Sequence, residues 1–225
     1  MRYGVNLEEV VNMANKCLGA VSLLVALFLF SNVLPAAGNA DAGKKKSLVC
    51  AGCHMADGNS VNPIWPKIAG QIPDYIVKQL QDFKAGKRVN QIMEPILKPL
   101  KQQDFDDLAA YFAKQQTQPD TTDSKQTLAG EKLYNSGVFY TSVTACTGCH
   151  GPKGRGNTDW KKSMNTPPTV LAPAIGGQHA EYTAKQLKAF RSGERSNDVG
   201  GVMQKIVNKL TDEQIDAVSA YIATL

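Results

Sequence analysis

Strong metal ligands are scarce in this chain: 225 residues hold five cysteines and three histidines. A zinc site needs four ligands from such residues, and after those in the motifs below are set aside, His179 is the one histidine left, with Cys17 in the amino-terminal leader. Charge of one sign is lacking too. Lys and Arg number 25 against 20 Asp and Glu, a net +5, with no basic stripe of the kind that grips nucleic acid. No stretch shows strand-like alternation of apolar and polar residues, which excludes a sheet-built fold. The composition of the whole chain is ordinary for a soluble protein, 43% hydrophobic and 20% charged, the exception being the amino terminus.

Against this sparse background the few cysteines are placed with purpose. Cys50-Ala51-Gly52-Cys53-His54 returns as Cys146-Thr147-Gly148-Cys149-His150, leaving only Cys17 outside the two motifs. Cys-x-x-Cys-His is the attachment signature of c-type haem. The two thiols add across the porphyrin vinyl groups, and the adjacent histidine becomes the proximal iron ligand. A thioredoxin-like redox pair has no use for the trailing histidine, least of all twice. Two haem c groups are therefore expected, on Cys50 and Cys53 and on Cys146 and Cys149, with His54 and His150 as axial ligands.

Residues 17–34 form an almost uncharged apolar run, followed by Pro35-Ala36-Ala37-Gly38-Asn39-Ala40. This reads as a signal peptide, with cleavage after Ala40 and Ala37 as the second choice. An uncleaved anchor is the competing reading, since eighteen residues sit at the lower limit for crossing a bilayer. Glu8 and Glu9 offset Arg2 and Lys16; a start at Met13 would restore a short basic leader. Either form exports the remainder of the chain. Lys44-Lys45-Lys46 reads as a solvated helix face.

The chain is also a tandem duplication. Pro66-Lys67-Ile68-Ala69-Gly70-Gln71 matches Pro173-Ala174-Ile175-Gly176-Gly177-Gln178 at an offset of 107 residues. The same offset pairs Tyr75 with Tyr182, Gln79 with Gln186, Phe83 with Phe190 and Arg88 with Arg195. At an offset of 110, Met93 meets Met203 and Tyr111 meets Tyr221. The second copy carries a longer segment before its motif, 136–145, and an inserted Gly- and Pro-rich loop, 154–168. The polar stretch 118–124 reads as a linker between a first domain, 41–117, and a second, 125–225. Apolar spacing predicts helices from Asp74 to Ala85 and from Glu181 to Ser192, each stopped by a glycine, Gly86 or Gly193. Thr211 and Gln214 form a capping box for a closing helix. The expected fold is all-α: two small helical domains, each built around a covalent haem whose bulk completes a thin core.

What fills the sixth iron position decides the chemistry. Met93 and Met203 occupy matching places in the duplication and are the expected axial partners of His54 and His150. Met55 abuts its histidine too closely to reach the far face; Met164 lies in the inserted loop without a counterpart. His179 faces Ile72 in the first copy, so it reads as a surface or supporting histidine. The segments at Pro66 and Pro173 are the expected acceptors for the second ring nitrogen of the two proximal histidines.

Together, the paired motifs, the Pro-x-x-x-Gly-Gln segments, the Gln-Leu helix and the methionine before a closing helix with tyrosine resemble the dihaem cytochrome c4 family over nearly all of 41–225. The resemblance implies two class I cytochrome c domains with His/Met ligands and haems facing each other near the interface. It further implies a periplasmic single-electron carrier, in some members peripherally membrane-associated, that feeds a terminal oxidase. Its partners would be a quinol-oxidising complex, a small copper or haem protein, or the oxidase itself. The alternatives are a haem subunit anchored in a respiratory complex and a dihaem peroxidase or dehydrogenase, which would lack one methionine ligand.

Overall fold

The computed structural model describes residues 38–120, 125–157 and 172–225. The leader, Met164 and most of the inserted loop lie outside the described residues. Among the described residues no helix is long and apolar enough to cross a membrane.

The first half runs through helices α1 (Ala40–Lys46), α2 (Leu48–His54), α3 (Pro73–Lys84), α4 (Met93–Leu97) and α5 (Gln102–Ala113). The second repeats the plan with α6 (Lys125–Ser136), α7 (Thr147–His150), α8 (Ala180–Ser192), α9 (Val202–Val207) and α10 (Asp212–Ala223). Among the described residues the extended pairing is one isolated bridge, Val138 with Val143. It closes a short excursion with a 3-10 turn, Phe139–Thr141, within the segment that lengthens the second copy.

Each half is held by its first and last helices. α1 crosses α5, and α6 crosses α10. Both crossings are made at a glycine. A Cβ on Gly43 would lie 2.0 Å from the Asp107 carbonyl oxygen, and one on Gly130 would lie 2.1 Å from that of Ala217. Close backbone approach is what the missing side chain permits. Around the second crossing, Tyr134, Ile215, Val218 and Ile222 are fully or nearly fully buried; Leu108 and Phe112 do the same beside the first.

Helix ends follow local rules. Thr211 Oγ1 accepts from the Gln214 N–H at 3.2 Å while Gln214 Oε1 accepts from the Thr211 N–H at 3.0 Å, the expected capping box. α8 stops at Gly193 in the left-handed conformation, φ 81°. α1 and α2 are separated by a break at Ser47, whose hydroxyl donates to the Lys44 carbonyl. Lys44 and Lys45 are solvated, but Lys46 pairs with Asp104 and Asp107 of α5. Asn39 caps α1, accepting from the Asp41 and Ala42 N–H groups, and donates its own N–H to Asp107.

The stretch expected to be a free linker is tied at its start to both halves. Lys67 Nζ donates to the Gln118 carbonyl and to Asp120 Oδ1, and the Asp120 N–H donates to the Ala223 carbonyl. His179 is not a surface residue. It is buried, with Nδ1 facing Asp120 Oδ2 at 3.0 Å and Nε2 facing the Ser60 carbonyl at 2.8 Å.

Candidate functional site

Local structure puts the motif residues in order. In each copy the Cys-x-x-Cys-His residues wind into a short helix, α2 or α7, that ends on the histidine. One turn of helix places both sulfurs and the imidazole toward one side. His54 and His150 are both buried at 7% exposure. Each Nδ1 is held by a backbone carbonyl, His54 by Pro66 at 2.8 Å and His150 by Pro173 at 2.9 Å. A carbonyl only accepts, so Nδ1 carries the hydrogen and Nε2 is the nitrogen offered to a metal. Burial pushes both imidazoles below the ordinary histidine value against the opposing pull of the carbonyl bonds, which keeps them neutral and able to ligate.

A single continuous cavity runs through both halves. Its walls include Cys50, Cys53, His54 and Met93 of the first half and Cys146, Cys149, His150 and Met203 of the second. All eight residues expected to hold a cofactor thus border one space. Met93 opens the short helix α4 and Met203 lies in α9, elements that the sequence pattern left unassigned. The rest of the lining is mostly apolar, with Ile76, Leu80, Phe83 and Leu97 matched by Thr183, Leu187, Phe190 and Val207.

The walls suit a haem better than a cluster of metal-ligating side chains. Burial pushes Cys50 and Cys146 up to about 11, so before attachment their sulfurs are neutral thiols at physiological pH. Among the described residues no three His, Cys, Asp or Glu side chains converge on a common point. The cavity is also lined by two arginines, Arg195 buried and Arg88 half-buried. Arg88 donates to Gln79, Tyr182 and Gln186; Arg195 donates to Asn197, Gln186, Tyr75 and Gln79. Each guanidinium stacks on its own half's phenylalanine, Arg88 on Phe83 at 4.6 Å and Arg195 on Phe190 at 4.4 Å. These partners are amides, phenols and rings, none of them anionic. Burial pushes the Tyr75 phenol up, yet the charges of Arg195 and Arg88 outweigh it and hold Tyr75 below the ordinary value. Two arginines in a mostly apolar cavity fit a flat hydrophobe carrying two carboxylates.

The sequence repeat had marked Tyr75, Gln79, Arg88 and their counterparts as equivalents without showing what they do. Folding brings them into one pseudo-symmetric cluster, each arginine reaching the other half's tyrosine at 2.9 Å.

Comparison with known proteins agrees with this architecture. The family model for cytochrome c matches twice, over residues 40–116 and 128–225. Cytochrome c4 of Pseudomonas aeruginosa is 44% identical over 206 residues, covering 91% of this chain and 97% of that protein. The crystal structure of reduced recombinant cytochrome c4 from Pseudomonas stutzeri superposes with a TM-score of 0.77 at 43% identity, covering 84% of this chain and 100% of that one. A more distant relative, the thiosulfate dehydrogenase electron acceptor of Stutzerimonas stutzeri, is 33% identical over 184 residues, covering 80% of each. With tandem cytochrome c domains, a haem-attachment motif in each and this likeness along nearly its whole length, the chain belongs to the cytochrome c4 family of electron-carrying dihaem c-type cytochromes.

Proposed function

We propose that each haem is attached through Cys50 and Cys53 or through Cys146 and Cys149, and that its iron lies between His54 and Met93 or between His150 and Met203. The supporting observation is that both histidine–methionine pairs border the same cavity at duplicated positions. Held by an imidazole and a thioether, each haem would supply one-electron exchange, with the soft sulfur favouring the ferrous state. The chain's own part is to keep those ligands in place. Pro66 and Pro173 orient the imidazoles. The apolar walls exclude water, and Arg88 and Arg195 offset the charge of the haem carboxylates. A site with both axial positions filled by side chains has none open for a substrate, which favours a carrier over a peroxidase.

The carrier works in the periplasm, passing single electrons between respiratory redox proteins and towards a terminal oxidase. One relative is named as an electron acceptor of thiosulfate dehydrogenase, so an enzyme oxidising sulfur compounds is a donor of suitable class. Processing follows Ala37 in this reading. The cap on α1 is Asn39, and cleavage after Ala40 would discard it at a cost of about 1 kcal/mol. The first domain then begins at Gly38, three residues ahead of the boundary expected from sequence. Amino-terminal sequencing of the native protein should read Gly-Asn-Ala; retention of residues 1–37 would instead support an anchored subunit of a respiratory complex.

The ligand assignment is tested by redox titration of Met93→Ala and Met203→Ala with optical spectra. Each substitution should open its own iron and lower that haem's potential, leaving the other near its original value. An unchanged spectrum in either variant would show that a different residue ligates there.

A further inference from the structure

The two Pro-x-x-x-Gly-Gln segments do more than repeat. Gln178 Oε1 accepts from the Lys67 N–H at 2.9 Å, and its Nε2 donates to the Lys67 carbonyl at 2.8 Å. In the mirror position, Gln71 Oε1 accepts from the Ala174 N–H at 2.9 Å and its Nε2 donates to the Ala174 carbonyl at 2.8 Å. A backbone donor and a backbone acceptor on each residue fix which way each amide points. Residues 67 and 174 are equivalents in the duplication, so each half's glutamine clasps the same residue of the other half.

That residue directly follows the proline that holds the proximal histidine. The Pro66 carbonyl, which accepts from His54, and the Lys67 N–H, which donates to Gln178, belong to one peptide group. The Pro173 carbonyl and the Ala174 N–H are likewise one peptide group between His150 and Gln71. Drawing on the N–H end of a peptide moves electron density toward its oxygen, because hydrogen bonds in a chain polarise one another. A more negative carbonyl holds the imidazole Nδ1–H more strongly and makes the ring a more basic ligand. A more basic ligand favours ferric iron and lowers the potential.

We infer that Gln178 and Gln71 are positioning residues that act across the domain boundary, each tuning the proximal histidine, and so the reduction potential, of the other half's haem. This rests on the assignment of His54 and His150 as iron ligands. The alternative is a clasp that only joins the halves, and the two differ in which haem responds.

The test uses the holoprotein with Gln178→Leu, Gln71→Leu and, as the conservative variant, Gln178→Glu, which keeps an acceptor oxygen for Lys67. Two quantities are read for each haem: its midpoint in a titration followed by NMR, and the Nδ1–H resonance of its ferrous proximal histidine. Gln178→Leu should raise the potential of the first-domain haem and shift the His54 Nδ1–H resonance upfield, with the second haem unmoved. Gln71→Leu should do the same to the second haem and His150 alone. Gln178→Glu should restore the first potential to the wild-type value or below. Movement of both haems together, of neither, or of each variant's own-domain haem would overturn the inference. Absence of histidine coordination in the wild-type spectra would overturn the ligand assignment and this inference with it. Where that coordination is present, the crossed pattern alone decides.

Discussion

Replacing Gly130 with alanine adds one carbon and two hydrogens, yet it should be among the most damaging single changes in the second domain. The added Cβ would stand 2.1 Å from the Ala217 carbonyl oxygen and 2.8 Å from Tyr221 Cβ. A carbon comfortably approaches a carbonyl oxygen to roughly 3.3 Å, so α6 and α10 must separate by about an ångström. Neither obstacle can rotate away, because one is backbone and the other is fixed to it. The separation loosens Tyr134, Ile215 and Val218, which are at most 1% exposed. Overpacking of this kind costs about 1–3 kcal/mol, occasionally more, and the better helix propensity of alanine returns at most about 1 kcal/mol. A crossing closed by backbone belongs at the upper end, so a net loss of about 2–3 kcal/mol is expected. Denaturant unfolding of the holoprotein by circular dichroism measures it, with Glu131→Ala on the exposed face of the same helix as the control, expected within about 0.5 kcal/mol of wild type. Haem absorbance then reports which domain has weakened. A Gly130→Ala variant as stable as the control would refute the close crossing of α6 and α10.

Two further perturbations follow from backbone and charge. Met55 holds φ 63°, a region that side chains avoid, where the second copy has Gly151 at φ 77°; Met55→Gly should raise the unfolding temperature, because relief of about 1–3 kcal/mol of strain exceeds the entropy cost of a glycine, about 0.5–1 kcal/mol. A melt that stays level or falls would count against strain at that residue. Burial pushes the Asp120 carboxyl up, but its bonds to Lys67 and His179 outweigh this and leave it below the ordinary aspartate value. A lowered folded value means that its stabilisation is whole above about pH 3.9, the unfolded value, and disappears as pH falls through the folded value. Acid titration followed by NMR should therefore show the domain contact loosening in that range in wild type, whereas Asp120→Asn should be weaker at neutral pH and show no such step.

Much of the site was legible before any fold was known. Haem attachment is a covalent reaction between neighbouring residues, so Cys50, Cys53 and His54, and their counterparts, announce it within five positions. Duplication then put Met93 and Met203 at matching positions, and the fold brings both to the wall of the cavity that His54 and His150 border. Helix periods and terminal glycines described α3, α8 and α10 from local preferences alone. The roles of Gly43 and Gly130 were not legible, because a glycine in a helix carries no mark of the helix that will cross it. Nor were those of Lys67 and His179, whose partners lie 53 and 59 residues away and whose polarity alone suggests a solvated surface.

What the sequence by itself determined is therefore the chemistry attached to the chain and the number of times it occurs. Only the tertiary structure decided how one half is bonded to the other. Gln71 and Gln178 reach across 103 and 111 residues to grip the peptide behind the opposite histidine, and Arg88 and Arg195 exchange tyrosines across the same boundary. A repeat tells which residues are equivalent, but hydrogen-bond partners are set by distance and direction in space, and these exist only once both halves are folded and docked.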